Sequence, residues 1–210
     1  MTGSADFESA FSRCPLVAIL RGVTPDEILE TGAALIEAGF TMIEIPLNSP
    51  EPLESIRRLS VTVGAGVVIG AGTVLDPAAV AAVEASGGAF IVTPNFNPKV
   101  VSEAARRNMV PIIGVATPSE AFAALDCGAV ALKLFPAEAS SPEVARAMLA
   151  VLPKGTRILP VGGITPISME SWIAAGAAGF GLGSALYRPA QDASETRMKA
   201  REFIAAWKAR

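Results

Sequence analysis

The sequence predicts an α/β fold, a minimal (β/α)8 or TIM barrel, as a single domain over residues 1–210 with a short N-terminal lead-in. Three observations carry this. Seven pairs of a helix-capping residue and proline recur at regular spacing, glycines close several helical stretches at a near-constant distance, and eight short apolar runs alternate with those stretches. Ser, Thr, Asp and Asn accept hydrogen bonds from the free amides at a helix start, and proline suits the first helical position because its missing N–H has no partner there anyway. A glycine just past a helix takes the left-handed conformation at no steric cost.

In chain order, the first strand is expected at residues 16–20, followed by the start signal Thr24-Pro25 and the stop Gly39. The second lies at 42–45, before Ser49-Pro50, and the third at 67–69, before Asp76-Pro77 and Gly87. The fourth, at 90–92, leads to Asn97-Pro98, and the fifth, at 110–115, to Thr117-Pro118 and Gly128. The sixth, at 130–135, precedes Ser141-Pro142; the seventh, at 157–161, precedes Thr165-Pro166 and Gly176; the eighth lies at 179–182. Successive prolines of these pairs are 20 to 27 residues apart, which holds one helix and one strand. Most runs are continuously apolar, as parallel strands covered on both sides should be. A doubly wound open sheet is the alternative architecture.

Composition bounds the function. With 51% hydrophobic and 18% charged residues and a formal net charge of -3, the chain is not disordered and is a poor partner for nucleic acid. No histidine is present, which excludes a His general base, the usual serine triad and imidazole metal sites. Cys14 and Cys127 read as small buried hydrophobes, with a reactive thiol as the other possibility. The first twelve residues carry Asp6 and Glu8 and no apolar run of a secretory signal. Two uncharged runs, 59–75 and 171–187, are broken by glycines and read as buried strands and turns rather than membrane spans. The expectation is a soluble, cytoplasmic protein with no membrane partner.

Barrel enzymes place their chemistry at the C-terminal ends of the strands. Of the five lysines, Lys133 alone lies inside an apolar strand, Ala131-Leu132-Lys133-Leu134-Phe135. Burial pushes a lysine toward the neutral amine, which attacks carbonyls. A core lysine paired with a carboxylate is the structural alternative. Glu44, in Ile43-Glu44-Ile45, is the matching oddity: a proton shuttle, or a counter-ion to Lys133 or Arg21. Arg21, after the first strand, suits a carboxylate or phosphate, or a surface ion pair. Gly70-Ala71-Gly72-Thr73, Gly162-Gly163-Ile164 and Gly181-Leu182-Gly183-Ser184 are glycine-rich turns. The last two follow strands seven and eight, where barrels often bind phosphate, although tight packing also explains such glycines. Together these residues suit Schiff-base chemistry on a phosphorylated keto acid.

At this point the chain resembles the 2-keto-3-deoxy-6-phosphogluconate and 4-hydroxy-2-oxoglutarate aldolase family over nearly its whole length. The matching segments are Ile19-Leu20-Arg21-Gly22, Gly70-Ala71-Gly72-Thr73-Val74, Val92-Thr93-Pro94-Asn95, Leu132-Lys133-Leu134-Phe135-Pro136 and Val161-Gly162-Gly163-Ile164. The resemblance implies a class I retro-aldol cleavage, without metal or other cofactor, giving pyruvate and glyceraldehyde 3-phosphate. It implies that Lys133 forms the Schiff base and Glu44 moves protons through a bound water. Arg21 and Thr73 would hold the pyruvyl carboxylate, Pro94 and Phe135 would shape the pocket, and Gly162, Gly163, Gly183 and Ser184 would bind phosphate. Members of this family are usually trimers, so a homotrimer is implied. Where gluconate-type members read Glu-Val-Thr-Leu-Arg-Thr and Pro-Thr-Gly-Gly, this chain has Glu44-Ile45-Pro46-Leu47-Asn48-Ser49 and Pro160-Val161-Gly162-Gly163, as galactonate-type members do. Val161 in place of threonine thus implies the galacto configuration, with leakage to the gluco epimer. A phosphate-binding isomerase or synthase barrel, lacking a covalent lysine, and a sugar-phosphate sensor are the rival readings.

Overall fold

In the computed structural model, which describes residues 3–209, eight parallel strands form a barrel in sequence order. They are β1 (Leu16–Ile19), β2 (Met42–Pro46), β3 (Val68–Gly72), β4 (Phe90–Val92), β5 (Val110–Val115), β6 (Ala131–Leu134), β7 (Ile158–Pro160) and β8 (Phe180–Leu182). β1 pairs with both β2 and β8, and the ring closes through the single bridge Val161↔Gly181 beyond β7. Around it lie α2 (Ile28–Ala38), α3 (Pro52–Thr62), α4 (Pro77–Ala85), α5 (Pro98–Arg106), α6 (Pro118–Asp126), α7 (Pro142–Val151), α8 (Met169–Ala174) and α9 (Ala193–Lys208). The N-terminal lead-in is itself a helix, α1 (Gly3–Arg13). Among the described residues no helix is long and apolar enough to cross a membrane.

Alternate strand residues feed two separate cores. Ile43, Ile69, Ile91, Ile113, Leu132 and Ile158 face outward and pack under the helices. Val17, Met42, Phe90, Val110, Ala131 and Leu159 fill the barrel interior. That division explains why the strands read as unbroken apolar runs: both faces are buried, but against different partners. Below the strands, α1 inserts Phe7 and Phe11 into the interior core, with Phe7 stacked 5.7 Å from Phe11 and tilted against Phe90 at 6.0 Å. Arg157, just before β7, grips Glu8 with two bonds of 2.7 Å and lies 4.7 Å over the Phe11 ring. The barrel is therefore stoppered with hydrocarbon at its N-terminal end.

Four of the seven cap–proline pairs start a helix where the sequence places them. The side chains of Asp76, Asn97, Thr117 and Ser141 accept from backbone amides at the starts of α4, α5, α6 and α7. The other three differ for a local reason. At Thr24-Pro25 and Thr165-Pro166 an extra turn, tied by Thr24–Glu27 and Thr165–Ser168 bonds, precedes α2 and α8. At Ser49-Pro50 the helix waits until Pro52, and the buried Ser49 hydroxyl instead accepts the Gly22 N–H at 2.9 Å. Ser49 thereby ties the β2 loop to the β1 loop, on the rim at the C-terminal end of the barrel.

Candidate active site

The C-terminal end of the barrel holds a pocket of about 500 Å³. That volume lies in the ~300–1,000 Å³ range of small-molecule sites. Its wall includes Arg21, Lys133, Phe135, Val161, Gly162, Gly163, Gly183 and Ser184, eight of the residues singled out in the sequence. A second space of about 10 Å³ lies inside the barrel, bounded by Glu44, Lys133, Val161, Val17, Val92 and Gly181. It is close to the smallest space that takes one water. Lys133 and Val161 belong to both spaces and form the partition between pocket and barrel interior.

Register explains how two charged side chains fit an apolar interior. Lys133 sits between Gly114 of β5 and Leu159 of β7, and Glu44 between Ile19 of β1 and Gly70 of β3. A methyl group on Gly72 would overlap the Glu44 carboxylate, so that glycine reserves the space the acid occupies. A methyl on Gly114 would run into the Pro94–Asn95 backbone, which Thr93 fixes by donating to Asn95 O at 2.6 Å and accepting the Gly114 N–H at 3.0 Å.

Lys133 is 4% exposed and Glu44 1%. Burial holds the Lys133 ammonium below the ordinary lysine range, the nearby Arg21 charge pushes it further down, and the Glu44 charge opposes both. Burial pushes Glu44 up, against the pull of Lys133 and Arg21. Lys133 Nζ lies 4.6 Å from the Phe135 ring centre. Neither Lys133 nor Glu44 belongs to an ion pair among the described residues, so the counter-ion reading of Glu44 is not met by direct contact. What results is an amine biased toward its neutral, nucleophilic form beside an acid biased toward holding a proton.

Arg21 donates to Asn48 Oδ1 at 2.6 Å, which turns it along the rim toward the β2 loop. The expected roles of Thr73 and Pro94 find less support. Both stand at strand ends and are partly buried, but neither lines the pocket; Thr73 holds a left-handed φ of 56°. The glycine turns also divide. Gly162 and Gly163, at φ 113° and 63°, are covered by the Glu138 side chain, whose carboxylate fills the place a methyl on Gly162 would need. A Cβ on Gly183 would meet nothing within 4 Å. Packing accounts for the first two glycines, whereas the third borders open space.

Three polar pocket residues escaped the sequence reading: Glu138, Tyr187 and Arg188. Glu138 lies in the short 3-10 turn after β6. Tyr187 lines the pocket while its hydroxyl is buried without a hydrogen-bond partner among the described residues, and burial with the Glu27 charge pushes it up to about 12. Arg188 returns to donate from Nε to Ser184 O at 3.3 Å. In sequence each is a charged or aromatic residue in a loop, with nothing to separate it from ordinary surface. A lone charge within an apolar strand, or a cluster of glycines at a strand end, gives a signal that these three lack.

Comparison with known proteins adds to this geometry. A family model described as KDPG and KHG aldolase matches residues 7–198. The chain is 46% identical over 197 residues to 2-dehydro-3-deoxy-6-phosphogalactonate aldolase of Escherichia coli, covering 94% of this chain and 96% of that protein. It is 36% identical over 170 residues to 2-dehydro-3-deoxy-phosphogluconate aldolase of Pseudomonas aeruginosa, covering 77% and 74%. A solved structure of native KDPGal superimposes with a TM-score of 0.92 at 46% identity, covering 94% of this chain and 96% of that one.

Proposed function

The chain belongs to the KDPG and KHG aldolase family, and from that premise we propose that it cleaves 2-dehydro-3-deoxy-6-phosphogalactonate to pyruvate and D-glyceraldehyde 3-phosphate. The observation that carries the chemistry is Lys133: an amine 4% exposed, held below its ordinary pKa by burial, on the wall of a pocket that also bears Arg21. Higher identity to the galactonate-type relative than to the gluconate-type one supports the choice of epimer.

In this reading the neutral Nζ of Lys133 adds to the C2 carbonyl, and water leaves as the imine forms. Protonated, the imine nitrogen accepts the electron pair of the C3–C4 bond as a base removes the C4 hydroxyl proton. The aldehyde departs and leaves an enamine. Glu44, raised by burial, returns a proton to C3 through a water in the small space it shares with Lys133. Hydrolysis of the new imine releases pyruvate and restores the amine. Arg21 takes the substrate carboxylate, with Thr73 at the end of β3 as its partner in the family resemblance. Phe135 and the Pro94 loop shape the pyruvyl end, and Gly162, Gly163, Gly183 and Ser184 receive the phosphoryl end. Val161 presents hydrocarbon next to Lys133, where an oriented hydroxyl would favour one C4 configuration. The reading extends to a cytoplasmic homotrimer, the state to which the family resemblance points; sedimentation equilibrium measures it.

Pyruvate release from the two pure epimers tests the proposal. The galacto compound is expected to have the higher kcat/KM, with measurable turnover of the gluco compound. No pyruvate from either would overturn the aldolase, and a clear gluco preference would overturn the epimer alone.

A further inference from the structure

The charges around the pocket are not evenly spread, and their imbalance assigns a role to Arg188. Lys133 lies at the inner end and the exposed Arg21 on the β1 side of the rim; the Arg21 charge is felt by both Lys133 and Glu44, and Asn48 holds Arg21 at 2.6 Å toward the β2 loop. That guanidinium is committed to the end where the keto acid reacts. At the loops after β7 and β8, Gly162, Gly163, Gly183 and Ser184 offer neutral donors only, and the Glu138 carboxylate lies against the first two. A phosphate monoester carries about -1.5 to -2 charges near neutral pH. Beside a carboxylate, and with neutral donors alone, such a group would face net repulsion. A cation is needed there, and among the described residues Arg188 is the remaining cation on the pocket wall.

Arg188 is also free to serve. Arg57, Arg58, Arg106, Arg107, Arg157 and Arg197 each pair with a carboxylate, whereas Arg188 pairs with none among the described residues. Its anchor is neutral: the chain turns at Gly183, with Leu186 and Tyr187 amides donating to Gly183 O, and Arg188 Nε comes back to the Ser184 carbonyl. Pro189, next along, fills the space over Gly22 and braces this segment against the β1 loop. The terminal guanidinium nitrogens are left for a ligand beside Ser184.

We propose that Arg188 is the cationic contact of the phosphoryl end of the pocket, and that it sets the preference for phosphorylated over unphosphorylated keto acids. This rests on the aldolase reading above. The experiment compares kcat/KM of wild type, Arg188→Ala and Arg188→Lys on the phosphorylated substrate and on its unphosphorylated analogue. Arg188→Ala should cut the ratio of the two by roughly 10–100-fold, through KM of the phosphorylated compound, as loss of a charged hydrogen bond does. Arg188→Lys should restore part of the ratio, because charge survives and the planar fork does not. A ratio equal to wild type in Arg188→Ala overturns the proposal, as does an equal loss on both substrates. Failure of wild type to exchange the pyruvate methyl protons would overturn the aldolase reading instead.

Discussion

The two ends of the barrel interior use the same alternation of inward-facing residues and finish it in opposite ways. Near the N-terminal end the inward positions of β1, β2 and β4 are Val17, Met42 and Phe90, and α1 adds Phe7 and Phe11. One step toward the C-terminal end the ring holds Glu44 and Lys133, with Gly72 leaving room for the acid. The lower end removes apolar surface from water and stabilises the fold. The upper end leaves two ionisable groups where burial disfavours their charged forms, which costs stability and produces reactivity. Damage at the two ends should therefore separate cleanly into loss of fold and loss of chemistry.

The largest effect expected is at the upper end. Lys133→Met should abolish turnover while the protein melts at or above the wild-type temperature, since a buried amine is replaced by hydrocarbon of similar length; calorimetry with an activity assay measures both. Glu44→Gln should slow proton exchange at the pyruvate methyl by ~10²–10⁴-fold, as loss of a general base commonly does. Exchange at the wild-type rate would make Glu44 a structural charge and blur the contrast between the ends. At the lower end, Phe7→Ala should cost about 3–5 kcal/mol in denaturant unfolding, the usual range for a buried phenylalanine, while kcat per folded molecule stays at the wild-type value.

Smaller effects sharpen the picture of the upper end. Val161→Thr should move the galacto-to-gluco ratio of kcat/KM toward gluco by ~1–3 kcal/mol, the scale on which an apolar wall discriminates. The pH profile of imine formation gives a signed test. Glu44 raises the Lys133 pKa and Arg21 lowers it. Only the neutral amine attacks, so the acid limb of imine formation should shift to lower pH in Glu44→Gln and to higher pH in Arg21→Met. Shifts in one common direction would mean that these charges do not reach Lys133.

The upper end was partly legible in the sequence because a charge inside an apolar strand is conspicuous, and Lys133 and Glu44 stood out for that reason. Eight strands were legible for the same physical cause, burial on both faces. The stopper was not: Phe7, Ala10 and Phe11 have helical spacing, but so short a segment reads only as a lead-in. Loop geometry was the other gap. Ser49-Pro50 carries a start signal, yet a tertiary bond from Gly22 takes the Ser49 hydroxyl and delays the helix to Pro52. Glu138 and Arg188 reach the pocket only because turns after β6 and β8 fold back over the rim, which no local pattern encodes. Thr73 and Pro94 rested on the family resemblance alone, and they stand off the pocket wall.

The most direct test of the account is where pyruvate becomes attached. Wild-type protein incubated with pyruvate and borohydride, then digested and sequenced by mass spectrometry, should carry the reduced adduct on Lys133, with Lys99, Lys154, Lys199 and Lys208 unmodified. An adduct on one of those four lysines, or none on Lys133 under conditions of active turnover, would contradict it.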